Sequence, residues 1–191
     1  MDKKRLIVGI TGASGVIYGI RLLQVLKDMD DVDTHLLISE AGERTIALET
    51  SYKLSQLYKL AHQVYDIHNI GAAIASGSFK THGMVVIPCS IKSLSGIANS
   101  SNSNLLLRSA DVTLKERRRL VLVPRETPLH LGHLRLMQQA VEMGAILVPP
   151  MPAFYHHPQS IEDLVDHTLL RCLDLLQMKA PDSLSQRWQG E

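Results

Sequence analysis

The chain has 191 residues, enough for one domain with a sizeable core, and its 45% apolar and 20% charged content is ordinary for a globular protein. A formal net charge of +1 argues against general attraction to nucleic acid or membranes, and no stretch reaches the roughly 20 apolar residues of a membrane span. Two cysteines give no disulfide framework, so a reducing cytoplasm is the default setting, and the apolar run after the basic residues 3–5 is too short for a signal peptide.

Residues 6–10 are continuously apolar, the pattern of a strand buried in a parallel sheet. Thr11, Gly12, Ala13, Ser14 and Gly15 form a turn of small residues, and Val16, Ile17, Ile20, Leu23 and Leu26 then recur at helical spacing up to Lys27. Strand, glycine turn and helix let a ligand phosphate approach backbone N–H groups at the helix start, although the spacing is not Gly-x-Gly-x-x-Gly. A tight structural turn is the plainer reading of the same residues. Asp30 and Asp31 break the chain before a second strand over 34–38 and a helix over 41–48, with Glu49 near its end. Ser39 stands at that strand's carboxyl end, where its hydroxyl either reaches a ligand or caps the helix. Leu54, Leu57, Tyr58 and Ala61 suggest a short helix, and residues 72–78 read as a helix end or a loop.

A third strand over 84–87 runs into Pro88, Cys89, Ser90, Ile91, Lys92 and Ser93, again a tight hydroxyl-rich turn at a strand's carboxyl end. Cys89 has no evident base beside it, so a buried, inert thiol is expected rather than a nucleophile. Asn104 is placed to cap a helix over 105–118. On that helix Arg108 and Lys115 lie near one face two turns apart, and Asp111 and Lys115 have pairing distance along the helix. The run 115–119 reads either as a solvated basic helix end or as an anion clamp.

A fourth strand over 120–123 stops at Pro124. Thr127 can cap the next helix with Pro128 at its first position, which leaves Arg125 and Glu126 between a strand's carboxyl end and a helix's amino end. Open α/β sheets bind ligands at that edge. The helix over 128–143 carries His130 and His133 at i,i+3, but no third ligand lies nearby and no metal site is expected. A fifth strand over 145–148 meets Pro149, Pro150 and Pro152. Ser160 and Asp163 then open a helix whose apolar face is Ile161, Leu164, Val165, Thr168, Leu169, Cys172, Leu173 and Leu176, bordered by Arg171. The polar tail 181–191 holds the chain's one tryptophan, Trp188, and is expected to dock over the site or on a neighbouring subunit.

Five strands alternating with helices predict a single three-layer α/β domain over 1–180, Rossmann-like or flavodoxin-like, with a mainly parallel sheet. Ligand contacts then come from four strand ends: the turn 12–15, Ser39, the segment 90–93, and Arg125 with Glu126. Hydroxyls, backbone amides and an arginine suit a phosphorylated ligand with an uncharged ring, such as FMN. The acidic residue that marks adenine dinucleotide sites is met only weakly, by Asp33 or Glu40.

The motifs together resemble the UbiX/Pad-type flavin prenyltransferases over nearly the whole chain. The likeness rests on 11–15 with Tyr18 and Gly19, on 88–93, on 110–118 (ADVTLKERR), on 123–128 (VPRETP), on 154–160 (FYHHPQS) and on Arg187 with Trp188. It implies a metal-independent enzyme that moves a dimethylallyl group from dimethylallyl monophosphate to N5 and C6 of reduced FMN. The product, prenylated FMN, would serve a UbiD-type aromatic acid decarboxylase. FMN contacts are implied at Gly12, Ala13, Ser14, Ser39, Ser90, Ile91, Lys92, Ser93 and Arg125. Tyr155 and Arg171 are implied at the prenyl phosphate, Arg171 from a neighbouring subunit of a large cytoplasmic homo-oligomer, with Trp188 close by.

Cleavage of an allylic C–O bond releases phosphate, which cations must hold; Lys115, Arg125, Arg171 and Arg108 are the candidates. Glu126 is the candidate to move the C6 proton, Ser14 to bond near N5, and Glu49 to orient a cation or to form a structural ion pair. Arg119 departs from the proline common in such proteins at that position, and the loop 101–103 departs as well. Two other readings stay open: an FMN-dependent decarboxylase of the cysteine type, and a non-catalytic FMN carrier on the same fold.

Overall fold

A computed structural model describes residues 3–182 and 184. Six strands form one sheet in which every pairing is parallel. Strand β1 (Lys4–Ile10) leads through helix α1 (Val16–Lys27) to β2 (Val32–Ile38), α2 (Glu40–Glu49), the short α3 (Leu54–Tyr58) and an edge strand β3 (Gln63–Tyr65). The chain then crosses to β4 (Gly83–Cys89), α4 (Ile91–Ala98), α5 (Leu105–Lys115), β5 (Arg119–Pro124), α6 (Leu131–Glu142), β6 (Ile146–Leu147) and α7 (Ile161–Leu175). The spatial order β3-β2-β1-β4-β5-β6 reverses direction between β1 and β4. That order is the doubly wound one, and without the three-residue β3 it is the flavodoxin order.

Period-two alternation along the strands divides the core into two layers. Leu6, Val8, Ile10, Val85, Ile87, Val121 and Val123 point to the face covered by α1 and α7. Ile7, Leu37, Met84, Val86, Leu120 and Leu122 point to the face covered by α4, α5 and α6. Both layers are buried, and each such side chain contributes about 1.5–3 kcal/mol relative to exposure. Cutting one to alanine costs about 2–5 kcal/mol.

Several expected caps are present. Asn104 Oδ1 accepts from Leu107 N–H at 2.9 Å, and Ser160 with Asp163 closes the capping box of α7. Four expectations need correction. The sheet has a sixth strand, β3, too short to show an apolar run. Pro128 does not open a helix: the Thr127–Pro128 bond is cis, and α6 starts at Leu131 with the His130 ring accepting from Gly132 N–H. Helix α5 ends at Lys115 rather than 118, Asp111 pairs with Arg108 at 3.1 Å, and Lys115 pairs with Glu116 instead of Asp111. Ile161 is 79% exposed and stands outside the apolar face of α7.

Arg119, in place of a proline, opens β5 and donates to the Leu175 carbonyl, tying the strand to the end of α7. Trp188 and its proposed docking lie outside the described residues; Leu184 is buried in the layer under α1 and α7. Among the described residues no helix is long and apolar enough to cross a membrane.

Candidate active site

The site begins where the strand order reverses. Thr11, 1% exposed, follows β1 and bridges to the turn after β4. Its hydroxyl donates to the Pro88 carbonyl at 2.8 Å and accepts from Ser90 N–H at 2.8 Å. The two ligand-facing turns are thereby locked together. Gly12 is forced by close approach, since a Cβ there would lie 2.4 Å from the Cβ of Ala41 in α2. Gly15 has φ of 96°, in the left-handed region that glycine adopts without strain, and it is the N-cap of α1.

The amino end of α1 is already occupied. Glu49, the last residue of α2, accepts from Gly15 N–H at 2.8 Å and from Val16 N–H at 3.3 Å. Partial burial alone raises its pKa. Hydrogen bonds from the Ser14 side chain and the two backbone amides, with the charge of Arg125, outweigh that and hold the carboxyl below its ordinary range. A carboxylate of the chain itself therefore takes up the first amide donors of this helix. Ser14, Glu49 and Arg125 do meet, as a charged corner at the carboxyl edge. Glu126, exposed, follows Arg125 there, and its carboxylate accepts from Thr127 N–H at 3.0 Å.

Beside that corner a cavity of about 640 Å3 is lined by Ser39, Arg44, Ser90, Lys92, Ser93 and Asn104, among others. Such a volume suits a cofactor-sized molecule. Ser39 and Ser90 are the N-caps of α2 and α4, and their hydroxyls accept from Gly42 N–H at 3.0 Å and Ser93 N–H at 3.2 Å. The capping reading of these serines holds, and the caps form part of the cavity wall. Two helix amino ends, Arg44 and Lys92 suit an anionic phosphate. Ile67, Ala41 and Leu107 add apolar surface for a ring, so the donor set fits FMN.

The other expected anion contacts are placed elsewhere in the chain. Lys115 lies before the amino end of β5 and Arg125 after its carboxyl end. Six extended residues separate those edges by roughly 20 Å. Arg108 donates to the Ala75 carbonyl at 3.2 Å and pairs with Asp111, so it shares the α5 surface with Lys115 rather than the corner with Arg125. Tyr155, in the turn before α7, and Arg171, on α7, form a separate group. The Tyr155 hydroxyl hydrogen-bonds to His167 Nε2 at 2.6 Å, and Arg171, one turn along α7, acts electrostatically on His167 and pairs with Asp174 at 3.5 Å. Within one chain, Tyr155 and Arg171 are thus both neighbours of His167.

Burial pushes the Cys89 thiol up to about 12, which leaves no thiolate for catalysis near neutral pH. Among the described residues no group of three His, Cys, Asp or Glu could hold a metal ion, and the rings of His130 and His133 lie against each other with centroids 3.6 Å apart and planes tilted by 34°. Sequence reading missed Thr11, Arg44 and His167. Thr11 carried no signal linking it to residue 88, Arg44 looked like an ordinary helix cation, and His167 was hidden beside an apolar stripe.

These features define a flavin-binding α/β protein, and comparison with known proteins agrees. The family model described as Flavoprotein matches residues 1–171. The flavin prenyltransferase UbiX of Escherichia coli (strain K12) is 58% identical over 187 residues, covering 98% of this chain and 99% of that protein. A solved structure of AnUbiX (PadA1) in complex with FMN and dimethylallyl pyrophosphate is 45% identical, covers 99% of each chain and superposes with a TM-score of 0.95. A dodecameric FMN-dependent UbiX-like decarboxylase from Escherichia coli O157:H7 is 48% identical, covering 97% of this chain and 100% of its own, with a TM-score of 0.94. The chain belongs to the UbiX-type flavin prenyltransferases of the flavoprotein family.

Proposed function

We propose that this chain moves a dimethylallyl group from dimethylallyl monophosphate to reduced FMN and delivers prenylated FMN to a UbiD-type aromatic acid decarboxylase. The observation that carries the reading is the charged corner of Ser14, Glu49 and Arg125 beside a cavity walled by two helix amino ends. Gly12, Ala13, Ser14, Ser39, Ser90, Ile91, Lys92, Ser93 and Arg125 hold FMN, with Arg44 added to that set. Bound there in reduced form, FMN supplies the nucleophilic N5 and C6.

The chain's own residues do the remaining work. Tyr155 and Arg171 bind the prenyl phosphate. Lys115 and Arg108 add positive charge as the allylic C–O bond breaks and its electron pair leaves with phosphate. Glu126 takes the proton lost from C6, directly or through the released phosphate. Lys115 stands too far from Arg125 to act on the same site within one chain, which favours a homo-oligomer in which one copy lends Lys115 to another's site. The cavity and the corner fall within residues 1–180, the FMN-binding domain.

The test is to supply the purified protein with reduced FMN and dimethylallyl monophosphate without oxygen and weigh the flavin. An adduct one prenyl unit heavier than FMN is expected. FMN of unchanged mass favours the carrier reading, and in a separate reaction with oxidised FMN and a peptide ending in cysteine, release of carbon dioxide with reduction of the flavin favours the decarboxylase reading.

A further inference from the structure

The group around Tyr155 contains a residue to which the mechanism so far gives no part. His167 lies in the middle of α7, is 9% exposed, and offers Nε2 to the Tyr155 hydroxyl at 2.6 Å. Its turn of helix is anchored on both sides. Asp166 receives Arg21 of α1 through two hydrogen bonds of 2.8 Å, and the side chain of Thr168 bonds to Tyr18 of α1. The His156 ring stacks on His167 with centroids 4.7 Å apart and planes 9° from parallel. Both His156 ring nitrogens are buried without a hydrogen-bond partner, so what it gives His167 is the face of its ring. His167 is thus fixed in position and in plane, while Tyr155, which it holds, is 48% exposed.

We propose that His167 is a positioning residue of the prenyl-phosphate subsite: it fastens the Tyr155 phenol to the α7 face that carries Arg171, so that hydroxyl and guanidinium act as one anion-binding pair. The inference rests on the reading of Tyr155 and Arg171 as phosphate contacts. A phenol has one hydrogen to give. If Nε2 accepted it, none would remain for a phosphate oxygen. The positioning role therefore assigns His167 the Nε2–H tautomer, in which the ring donates to the phenol oxygen. Burial first, then the neighbouring His156 and Arg171, hold the imidazole below its ordinary pKa. The ring is therefore neutral near pH 7 and carries a single N–H, which makes the choice of tautomer decisive. Four residues separate His167 from Arg171, one helical turn, so both project from the same side of α7.

Calorimetry of dimethylallyl monophosphate with protein carrying oxidised FMN reads the subsite without turnover. His167→Phe, which keeps the ring volume and removes the polar atom, is expected to weaken binding by about tenfold to a hundredfold. FMN affinity and melting temperature report whether the variant is folded. His167→Gln, whose amide nitrogen reaches the Nε2 position, restores binding to within about threefold of the parent, whereas the shorter His167→Asn does not. Tyr155→Phe loses as much as His167→Phe, and the double variant loses no more than either. Full affinity in His167→Phe alongside weak binding in Tyr155→Phe overturns the positioning role and leaves the subsite standing. Full affinity in Tyr155→Phe removes the subsite reading itself. If His167→Phe does not fold, equal affinities for the Gln and Asn variants overturn the proposal.

Discussion

The carboxylate of Glu49 accepts from the Gly15 N–H at 2.8 Å, so the last residue of α2 caps the first turn of α1. A negative charge at a helix amino end is favourable, and here it also orders the Ser14 turn beside Arg125. Because the folded-state pKa of Glu49 is depressed, its stabilisation is present above the unfolded value and is lost as pH falls through the folded one. Glu49 is exposed, which limits the effect. Glu49→Gln is expected to lower the melting temperature by about 2–4 °C at pH 7 and by less at about pH 4. Scanning fluorimetry at the two pH values decides; an equal loss at both would remove the charge from the argument.

Thr11→Val removes the hydroxyl that joins the turn after β1 to the turn after β4. Valine fills the same space, but Ser90 N–H loses its acceptor in a buried setting. Urea unfolding is expected to show a loss of about 1–3 kcal/mol. FMN affinity falls with it, since Ser90 and Lys92 start the helix that walls the cavity. A variant with parental stability and FMN affinity would show that the two turns hold together without this bridge.

Much of the architecture was legible because burial writes itself into runs. The segments within β1, β4 and β5 are continuously apolar, which only a sheet covered on both faces explains. Asn104, Ser160 and Ser39 announced their helices by type and position. Gln63, Val64 and Tyr65 did not announce β3, because three residues cannot show a period. The site was legible where local chemistry makes it, as at Ser90 and Arg125, and illegible where it depends on contacts across the chain. Nothing in the sequence joins Thr11 to Pro88, Glu49 to Gly15, or Tyr155 to His167. Lys115 is a different case. In a parallel sheet each crossover helix runs back toward the amino edge, so the end of α5 had to lie opposite the carboxyl end of β5.

Both thiols are buried, and burial pushes each up to about 12. Iodoacetamide at pH 8 is expected to leave Cys89 and Cys172 unmodified in the native protein and to alkylate both in urea. Cys89→Ala should keep prenyl transfer intact, as the mechanism gives the thiol no step. Rapid native labelling at Cys89 would reopen a nucleophilic role for it.

Lys115 and Glu126 sit at opposite edges of the sheet in one chain, roughly 20 Å apart along β5. If one copy lends Lys115 to another's site, defects at the two positions can complement each other. Glu126→Gln should retain FMN and slow product formation by about 10²–10⁴, the usual worth of a positioned acid or base. Lys115→Ala should weaken the grip on the departing phosphate and also lose most turnover. Each variant oligomer is therefore nearly inactive alone. Co-expressed with different affinity tags and purified through both, mixed oligomers contain some sites with Lys115 from one copy and Glu126 from the other. Those sites are intact, so activity returns in the mixture but not when the separately purified variants are combined without exchange. A mixed oligomer as inactive as its parents would show that the two residues do not complete one site from different copies, and would overturn the shared-site reading.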